Sequence, residues 1–119
     1  MFNEKKGKLL RIYIGEHTRH EGRPLYEWLV LQARGMHMSG ATVLRGVEGF
    51  GASTRIHTAK IIDISGNLPV VVELVDTPEK IEKFLAHTEN AIPGGLATLE
   101  DVDIRFYRAH PGEQACDVS

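Results

Sequence analysis

The sequence predicts an α+β domain of the ferredoxin-like class, in which two helices pack on one face of a four-stranded antiparallel sheet. Three observations support this prediction. The chain has 119 residues, of which 42% are hydrophobic, which is enough for one domain with its own core. Its apolar residues repeat with the period of strands in four segments and with that of helices in two. The order of these segments is β-α-β-β-α-β, as in a ferredoxin-like domain.

The first strand and the first helix differ in the spacing of their apolar residues. In residues 8–14, Leu10, Ile12 and Ile14 alternate with the other side chains, as expected of a strand. From Pro24 onwards the spacing becomes helical, and proline suits the first helical position because its missing N–H would have no partner there. The residues with helical spacing are Leu25, Trp28, Leu29, Gln32 and Ala33.

The second half of the chain repeats this alternation. Residues 41–50 form the second predicted strand, residues 53–64 are ambiguous, and residues 69–75 are β-branched and bounded by turn residues, as in a strand. Thr77 is predicted to cap the second helix, with Pro78 at its first position and Glu79 in its first turn. Residues 96–107 form the last predicted strand, which an acidic group interrupts. That group is Glu100, Asp101 and Asp103.

The composition excludes several classes of function. The formal net charge is −2, and the 14 basic residues are scattered, so we expect no affinity for nucleic acid or anionic membranes. The single cysteine, Cys116, cannot form an internal disulfide, which favours a reducing compartment. No apolar run approaches the ~20 residues of a membrane helix. We therefore expect a cytoplasmic protein with a folded domain at residues 8–108 and flexible ends at 1–7 and 109–119.

A glycine-rich stretch, RGVEGFGASTRIH at residues 45–57, follows the second strand pattern. Glycine weakens a strand, so this stretch requires an explanation. Two interpretations remain open: the tip of a flexible hairpin, or a backbone surface that a ligand approaches closely. In the second interpretation, successive N–H groups and the hydroxyls of Ser53 and Thr54 bind phosphate oxygens.

The sequence offers little support for a metal site or for catalysis. His17 and His20 are the only closely spaced histidine pair, and only Glu16 and Glu21 stand beside them, whereas a structural zinc site usually has four ligands. A nucleophile elbow and a P-loop are absent. We therefore predict no metal, no required cofactor and no catalytic residue, so the protein is not expected to be an enzyme.

Four segments together resemble the PII-like signalling proteins, and most closely an uncharacterised bacterial and archaeal branch of that superfamily. The segments are KLLRIYIGE, GATVLRGVEGFGASTRIHTAKI, LPVVVELVD and GGLATLEDVDI. They extend over residues 8–108, which is nearly the whole predicted domain. The second segment is the most specific, because it combines the strand pattern with the glycine-rich stretch.

The resemblance implies a PII-like homotrimer that binds an adenine nucleotide in clefts between neighbouring subunits. The family's Gly-Phe-Gly at the end of the second strand is matched by Gly49, Phe50 and Gly51, which Ala52 and Ser53 follow. In the family a mobile loop leaves from that point, here residues 52–67, and docks on a membrane transporter or a metabolic enzyme. The second nucleotide loop and the arginines of the last strand are matched by Gly94, Gly95, Arg105 and Arg108.

Two departures from the family pattern affect the expected ligand. The PII proteins proper carry a lysine in the second loop where this chain has Leu96, and their last-strand arginines are two residues apart. Arg105 and Arg108 are three apart, so on a strand they face opposite sides. We therefore expect AMP or ADP rather than ATP. Two alternatives stay open: a small hydrolase of phosphate esters or acyl phosphates on the same scaffold, and a trimeric interaction module without a small ligand.

Overall fold

One antiparallel sheet dominates the computed structural model, which describes residues 5–49 and 68–110. Its strands are β1 (Lys5–Gly15), β4 (Thr42–Arg45), β5 (Pro69–Asp76) and β6 (Leu96–Ile104). They lie in the order β4-β5-β1-β6, so β1 and β5 are central and β4 and β6 are the edges. This is the order of a ferredoxin-like sheet, and the predicted fold class is confirmed.

The helices follow the two central strands. A short hairpin of β2 (Arg19–His20) and β3 (Arg23–Pro24) leads from β1 into helix α1 (Leu25–Gly35). Helix α2 (Pro78–Thr88) follows β5 and continues into a 3-10 turn (Glu89–Ala91). The hairpin was not predicted. Its turn is Glu21-Gly22, and both residues have positive φ, as two-residue hairpin turns require.

The first strand begins earlier than the sequence pattern predicts. Residues 5–7 pair with residues 102–104 of β6, so part of the predicted flexible N-terminus is strand. The Nζ of Lys6 donates a hydrogen bond of 2.7 Å to Asp103 in this extension. The prediction missed these residues because their pairing partner lies almost a hundred positions away in the chain.

The acidic group does not interrupt β6, contrary to the prediction. The register places Asp101 opposite Lys8 and Asp103 opposite Lys6, and Lys8 Nζ lies 2.6 Å from Asp101 Oδ1. This hydrogen bond from Lys8 lowers the pKa of the Asp101 carboxyl. Opposite charges facing each other across two strands stabilise the pairing, so an acidic strand beside a basic one remains regular. The strand ends at Ile104, three residues before the predicted end, and β4 likewise ends at Arg45 rather than at residue 50.

The core lies between the helices and one face of the sheet. Alternate residues of β1 and β5 point to this face, and the apolar stripes of α1 and α2 cover it. The Oγ1 of Thr77 accepts a hydrogen bond from the N–H of Lys80, which confirms the predicted helix cap. The fully buried core residues are Leu10, Ile12, Leu25, Leu29, Val72, Ile81 and Phe84.

A buried carboxylate links the start of α2 to the segment between α1 and β4. Asp76 is 1% exposed, and its two oxygens accept N–H hydrogen bonds of 2.8 Å from Ser39 and Thr77. Ser39 in turn accepts a 2.6 Å hydrogen bond on its carbonyl oxygen from the Tyr107 hydroxyl. The segment after β6 is thereby joined to the same point.

Gly95, just before β6, is required by the packing of the chain. A Cβ on this residue would lie 2.3 Å from the carbonyl oxygen of Tyr13, and its φ is +139°. Both conditions exclude a larger residue, because the contact is with backbone and the conformation is one that L side chains rarely adopt. The backbone just before β6 therefore lies in direct contact with the backbone near the end of β1.

Replacing Asp76 by alanine leaves two N–H groups without partners in a buried place, and we expect it to lower the free energy of unfolding by about 2–4 kcal/mol. Urea denaturation followed by circular dichroism measures this change. The control is Asp103→Ala, which removes an exposed carboxylate and its ion pair with Lys6 and should shift the denaturation midpoint far less than Asp76→Ala. An Asp76→Ala variant as stable as the parent protein would contradict the role assigned to this carboxylate.

Alanine at position 95 should destabilise the protein by about 2–3 kcal/mol, because it places Cβ against the Tyr13 carbonyl in a strained conformation. The matched control is Gly35→Ala at the end of α1, where a Cβ meets nothing within 4 Å. Since alanine is the better helix former, this variant should gain up to about 1 kcal/mol. Thermal unfolding of both variants tests the pair, and equal effects at the two positions would refute the packing argument.

Candidate functional site

The loop-stem corner is the place where the chain leaves β4 and returns into β5, and it consists of Glu16, Arg45, Gly46, Gly49 and Pro69. The N–H of Gly46 donates a 2.7 Å hydrogen bond to the carbonyl oxygen of Pro69, one residue beyond the end of β4. A Cβ on Gly46 would lie 2.8 Å from Pro69 Cγ, and one on Gly49 would lie 3.3 Å from it. Two of the glycines of the glycine-rich stretch therefore lie against one proline ring.

Glu16 joins the two sides of this corner to the end of β1. Its N–H donates a 2.8 Å hydrogen bond to the carbonyl oxygen of Leu68, and its Oε2 accepts one from Nη2 of Arg45. The other carboxylate oxygen, Oε1, is buried and has no hydrogen-bond partner in the part of the chain that the structure describes. The sequence analysis considered Glu16 only as a neighbour of a histidine pair, since the contact with Arg45 depends on the sheet register.

The second-loop corner, Gly94 and Gly95, lies at the same end of the sheet but at the opposite edge. Gly95 contacts β1 at Tyr13 and Ile14, while Arg45 of the loop-stem corner is the last residue of the opposite edge strand, β4. Two strands, β5 and β1, separate these edges. Three strand spacings correspond to about 14 Å, which is the separation of Arg45 from the start of β6 within one chain.

The two predicted arginines lie at the other end of the sheet. Arg105 and Arg108 follow β6, which begins opposite Tyr13 and ends at Ile104, opposite Lys5. A strand of this length spans about 30 Å, so neither arginine reaches the glycine corners of its own chain. Both are exposed, and the guanidinium of Arg108 lies 4.3 Å from the centroid of the Phe106 ring. The prediction that Arg105 lies on the last strand is wrong.

The remaining candidate residues lie outside the described part of the chain. These are Phe50, Gly51, Ala52 and Ser53, together with the rest of the predicted loop at 52–67. Their assignment to a nucleotide site stays a prediction. Of the predicted site, the structure describes the glycines at one end of the sheet and the arginines at the other, namely Gly49, Gly94, Gly95, Arg105 and Arg108.

The face of the sheet that the helices leave uncovered carries an apolar row across all four strands. The register places Leu44 opposite Val71, Val71 opposite Tyr13, and Tyr13 opposite Leu96. Leu44 is 50% exposed and Leu96 58% exposed. We call these four residues the open-face row. The signal in the sequence was the continuous apolar run at residues 70–72, since a strand with one solvated face alternates instead.

A polar cluster lies beside the open-face row on the same face. Arg11 donates hydrogen bonds to two carboxylates, of 2.9 Å from Nε to Glu73 and 3.0 Å from Nη1 to Glu100. The hydrogen bond to Glu73 raises the pKa of the Arg11 guanidinium still further, so this residue is permanently charged. The uncovered face thus combines an apolar row with a hydrogen-bonded ionic cluster, which is a composition suited to a protein interface.

The described residues limit two other kinds of function. Among residues 5–49 and 68–110, no three histidine, cysteine or acidic side chains are grouped so that they could hold a metal ion. The imidazole of His20 instead contacts Trp28 edge-on, with ring centroids 4.4 Å apart. Neither described helix has the length and hydropathy needed to cross a bilayer.

Comparison with known sequences identifies the family. Residues 7–104 match the DUF190 family, described as "Uncharacterized ACR, COG1993". A UPF0166 protein of Aquifex aeolicus (strain VF5) is 41% identical over 101 residues, which are 85% of this chain and 95% of that protein. A UPF0166 protein of Methanocaldococcus jannaschii is 33% identical over 100 residues, which cover 83% and 92% of the two chains.

Comparison with solved structures identifies the fold. The Thermus thermophilus protein TTHA0516, described provisionally as a PII-like signaling protein, matches with a TM-score of 0.59 at 17% identity, over 87% of this chain and 93% of that one. CPII of Thiomonas intermedia K12, bound to ADP and bicarbonate, gives a TM-score of 0.59 at 14% identity, over 86% and 91%. A second CPII structure, bound to ADP, AMP and acetate, gives 0.56 at 12% identity, over 88% and 98%. The resemblance found in the sequence is thereby confirmed, and the chain belongs to the DUF190 (UPF0166) family and has the PII-like fold.

Proposed function

We propose that this protein is a PII-like regulator that binds AMP or ADP in clefts between the subunits of a homotrimer. Nucleotide binding selects one arrangement of residues 52–67, and this arrangement favours or prevents the docking of a partner protein. Such a shift requires that the nucleotide binds the two arrangements with different affinities. The partner class that the family resemblance suggests is a membrane transporter or a metabolic enzyme.

The observation that most supports this proposal is the ligand content of structures with the same fold. CPII is described as bound to ADP and bicarbonate in one structure, and to ADP, AMP and acetate in another. The sequence identity to CPII is low, so the argument passes through the fold and not through matched residues. The presence of ADP and AMP in those structures agrees with the expected preference for AMP or ADP. That preference was inferred from Leu96 and the two arginines, where this chain departs from the pattern of the PII proteins proper.

The positions of the two glycine corners favour a site between chains. The end of β4 at Arg45 and the start of β6 at Leu96 lie on opposite edges of the sheet, about 14 Å apart by strand spacing, with β1 and β5 between them. A phosphate cannot contact both edges of one chain. When edges of neighbouring chains meet, the loop-stem corner of one chain can approach the second-loop corner of the next, and main-chain N–H groups from both can then bind one anion.

The uncovered sheet face provides the surface for assembly. The open-face row presents four apolar side chains, and fully burying such a side chain is worth about 1.5–3 kcal/mol. Three copies of the sheet facing a common axis would remove these rows from water. In the ionic cluster, Arg11 pairs with both Glu73 and Glu100, so each carboxylate has a cationic partner, and the cluster keeps a formal charge of −1.

A trimeric interaction module without a small ligand is the second candidate. The observation in its favour is that Gly46 and Gly95 are explained by contacts inside the chain, with Pro69 and with the Tyr13 carbonyl. Glycine at these two positions therefore does not by itself require a ligand. Nothing in the described residues specifically favours the third alternative, a small hydrolase.

Isothermal titration calorimetry with AMP, ADP and ATP tests the nucleotide proposal. We expect AMP and ADP to bind and ATP to bind more weakly, because Leu96 stands where the PII proteins proper have a lysine. Analysis of the same samples for released phosphate separates binding from hydrolysis, and we expect unchanged nucleotide. No heat with any of the three, on a folded oligomer, would exclude the proposal and leave the interaction module.

Sedimentation of a Leu96→Glu variant tests the proposed interface. Placing a charge in the open-face row requires its burial in the trimer, which costs several kcal/mol, so the variant should sediment as a monomer where the parent protein is a trimer. Leu31→Glu is the matched control, since Leu31 is an exposed leucine of α1 on the other side of the molecule. A trimeric Leu96→Glu variant, or a monomeric parent protein, would show that this face is not the interface.

A further inference from the structure

Arg45 is the cation of the loop-stem corner. It is the last residue of β4, it precedes Gly46, and its side chain is 61% exposed. Its guanidinium carries five N–H donors. Within the described residues, the only acceptor of these donors is Oε2 of Glu16. As far as the described residues go, most of its hydrogen-bonding capacity is therefore open to a further acceptor.

The ion pair of Arg45 with Glu16 is incomplete on the carboxylate side as well. The contact joins one nitrogen to one oxygen, whereas a guanidinium and a carboxylate pair most strongly through two parallel hydrogen bonds. Glu16 is 15% exposed, and its Oε1 is buried without a partner among the described residues. A mostly buried carboxylate with one unused oxygen is a poor partner for an exposed arginine.

The basic side chains of β1 that the structure describes differ from Arg45 in their ion pairs and in their position. Arg11 is held by Glu73 and Glu100, Lys6 by Asp103, and Lys8 by Asp101, and each lies away from the two glycine corners. Their pairing stabilises the sheet. Arg45 alone among these four lies beside Gly46 and Gly49, where an anion is expected.

From this geometry we infer that Arg45 is a phosphate-binding residue of the nucleotide site and that Glu16 is its internal competitor. The inference rests on the proposed nucleotide-binding function. In the empty protein Glu16 accepts from Arg45. When the ligand is bound, Arg45 turns to the phosphate, and water enters beside the Glu16 carboxylate in the space that the guanidinium leaves.

The exchange is feasible on energetic grounds. The pair joins one nitrogen to one oxygen, and Arg45 is exposed, so the contact contributes less to stability than a bidentate pair would. A diphosphate offers several oxygens and more than one negative charge, so it can accept two parallel hydrogen bonds from the guanidinium. The competition predicts opposite changes in anion affinity for the two residues: removing the charge of Glu16 strengthens anion binding, and removing the charge of Arg45 weakens it.

Titration of ADP into four variants tests this inference. Arg45→Gln should bind ADP at least about tenfold more weakly than the parent protein, since it loses a charge-assisted contact with the phosphate. Arg45→Lys keeps the charge and should recover part of the affinity. Glu16→Gln keeps the shape of the side chain and removes the competing charge, so it should bind ADP more tightly. Arg23→Gln, in the β2–β3 hairpin, is the matched control, since Arg23 is not among the residues of the loop-stem corner, and it should bind like the parent.

Thermal unfolding and sedimentation of the unliganded variants establish that each is folded and assembled like the parent. An Arg45→Gln variant with parent-like affinity would overturn the assignment of Arg45. A Glu16→Gln variant that binds more weakly would overturn the competition, because it would mean that Glu16 holds Arg45 in place for the ligand. A parent protein that binds no ADP would instead refute the proposed function, and this inference would fall with it.

Discussion

The end of β1, residues 13–16, is the constraint on which the rest of the site depends. The Tyr13 carbonyl lies so close to Gly95 that only glycine fits, and this contact fixes the start of β6. Three residues later, Glu16 contacts both Leu68 and Arg45 and so fixes the two sides of the loop stem. One short piece of the chain thus positions both corners, while the separation of Arg45 on β4 from the start of β6 is set by the width of the sheet.

This constraint connects the fold to the proposed function. An antiparallel sheet can leave one face in water, but here the open-face row makes the second face suitable for contact with a copy of the chain. Assembly through it also brings edge strands of different chains into proximity. The same interaction that buries the row can therefore create the cleft in which the two corners meet, so nucleotide binding and oligomerisation are expected to be linked.

The sequence was sufficient for the elements whose signals are local. The cap at Thr77, the β-branched run of β5 and the helical spacing after Pro24 each report the structure of their own neighbourhood, and all three predictions hold. The extension of β1 to Lys5 was missed, and so was the regularity of β6. Both depend on a register that brings the basic residues of one strand opposite the acidic residues of another, which no local pattern reveals.

In the candidate site, too, the decisive contacts join residues that are distant in the chain. The structure gives packing reasons for Gly46 and Gly95, which are the Pro69 ring and the Tyr13 carbonyl, and these lie far from them in the chain. The contact of Glu16 with Arg45 joins residues 29 positions apart and has no signature in the sequence. The place of Arg105 was misjudged because the length of β6 is set by its pairing with β1 and not by its own residues.

The central claim is that one anion contacts two glycine corners that belong to different chains. A crystal structure of the protein grown with ADP tests it most directly. We predict density for the nucleotide phosphates between the loop-stem corner of one subunit and the second-loop corner of its neighbour, within hydrogen-bond distance of main-chain N–H groups from both. A nucleotide held by a single chain, or subunits that keep the two corners apart, would contradict the account.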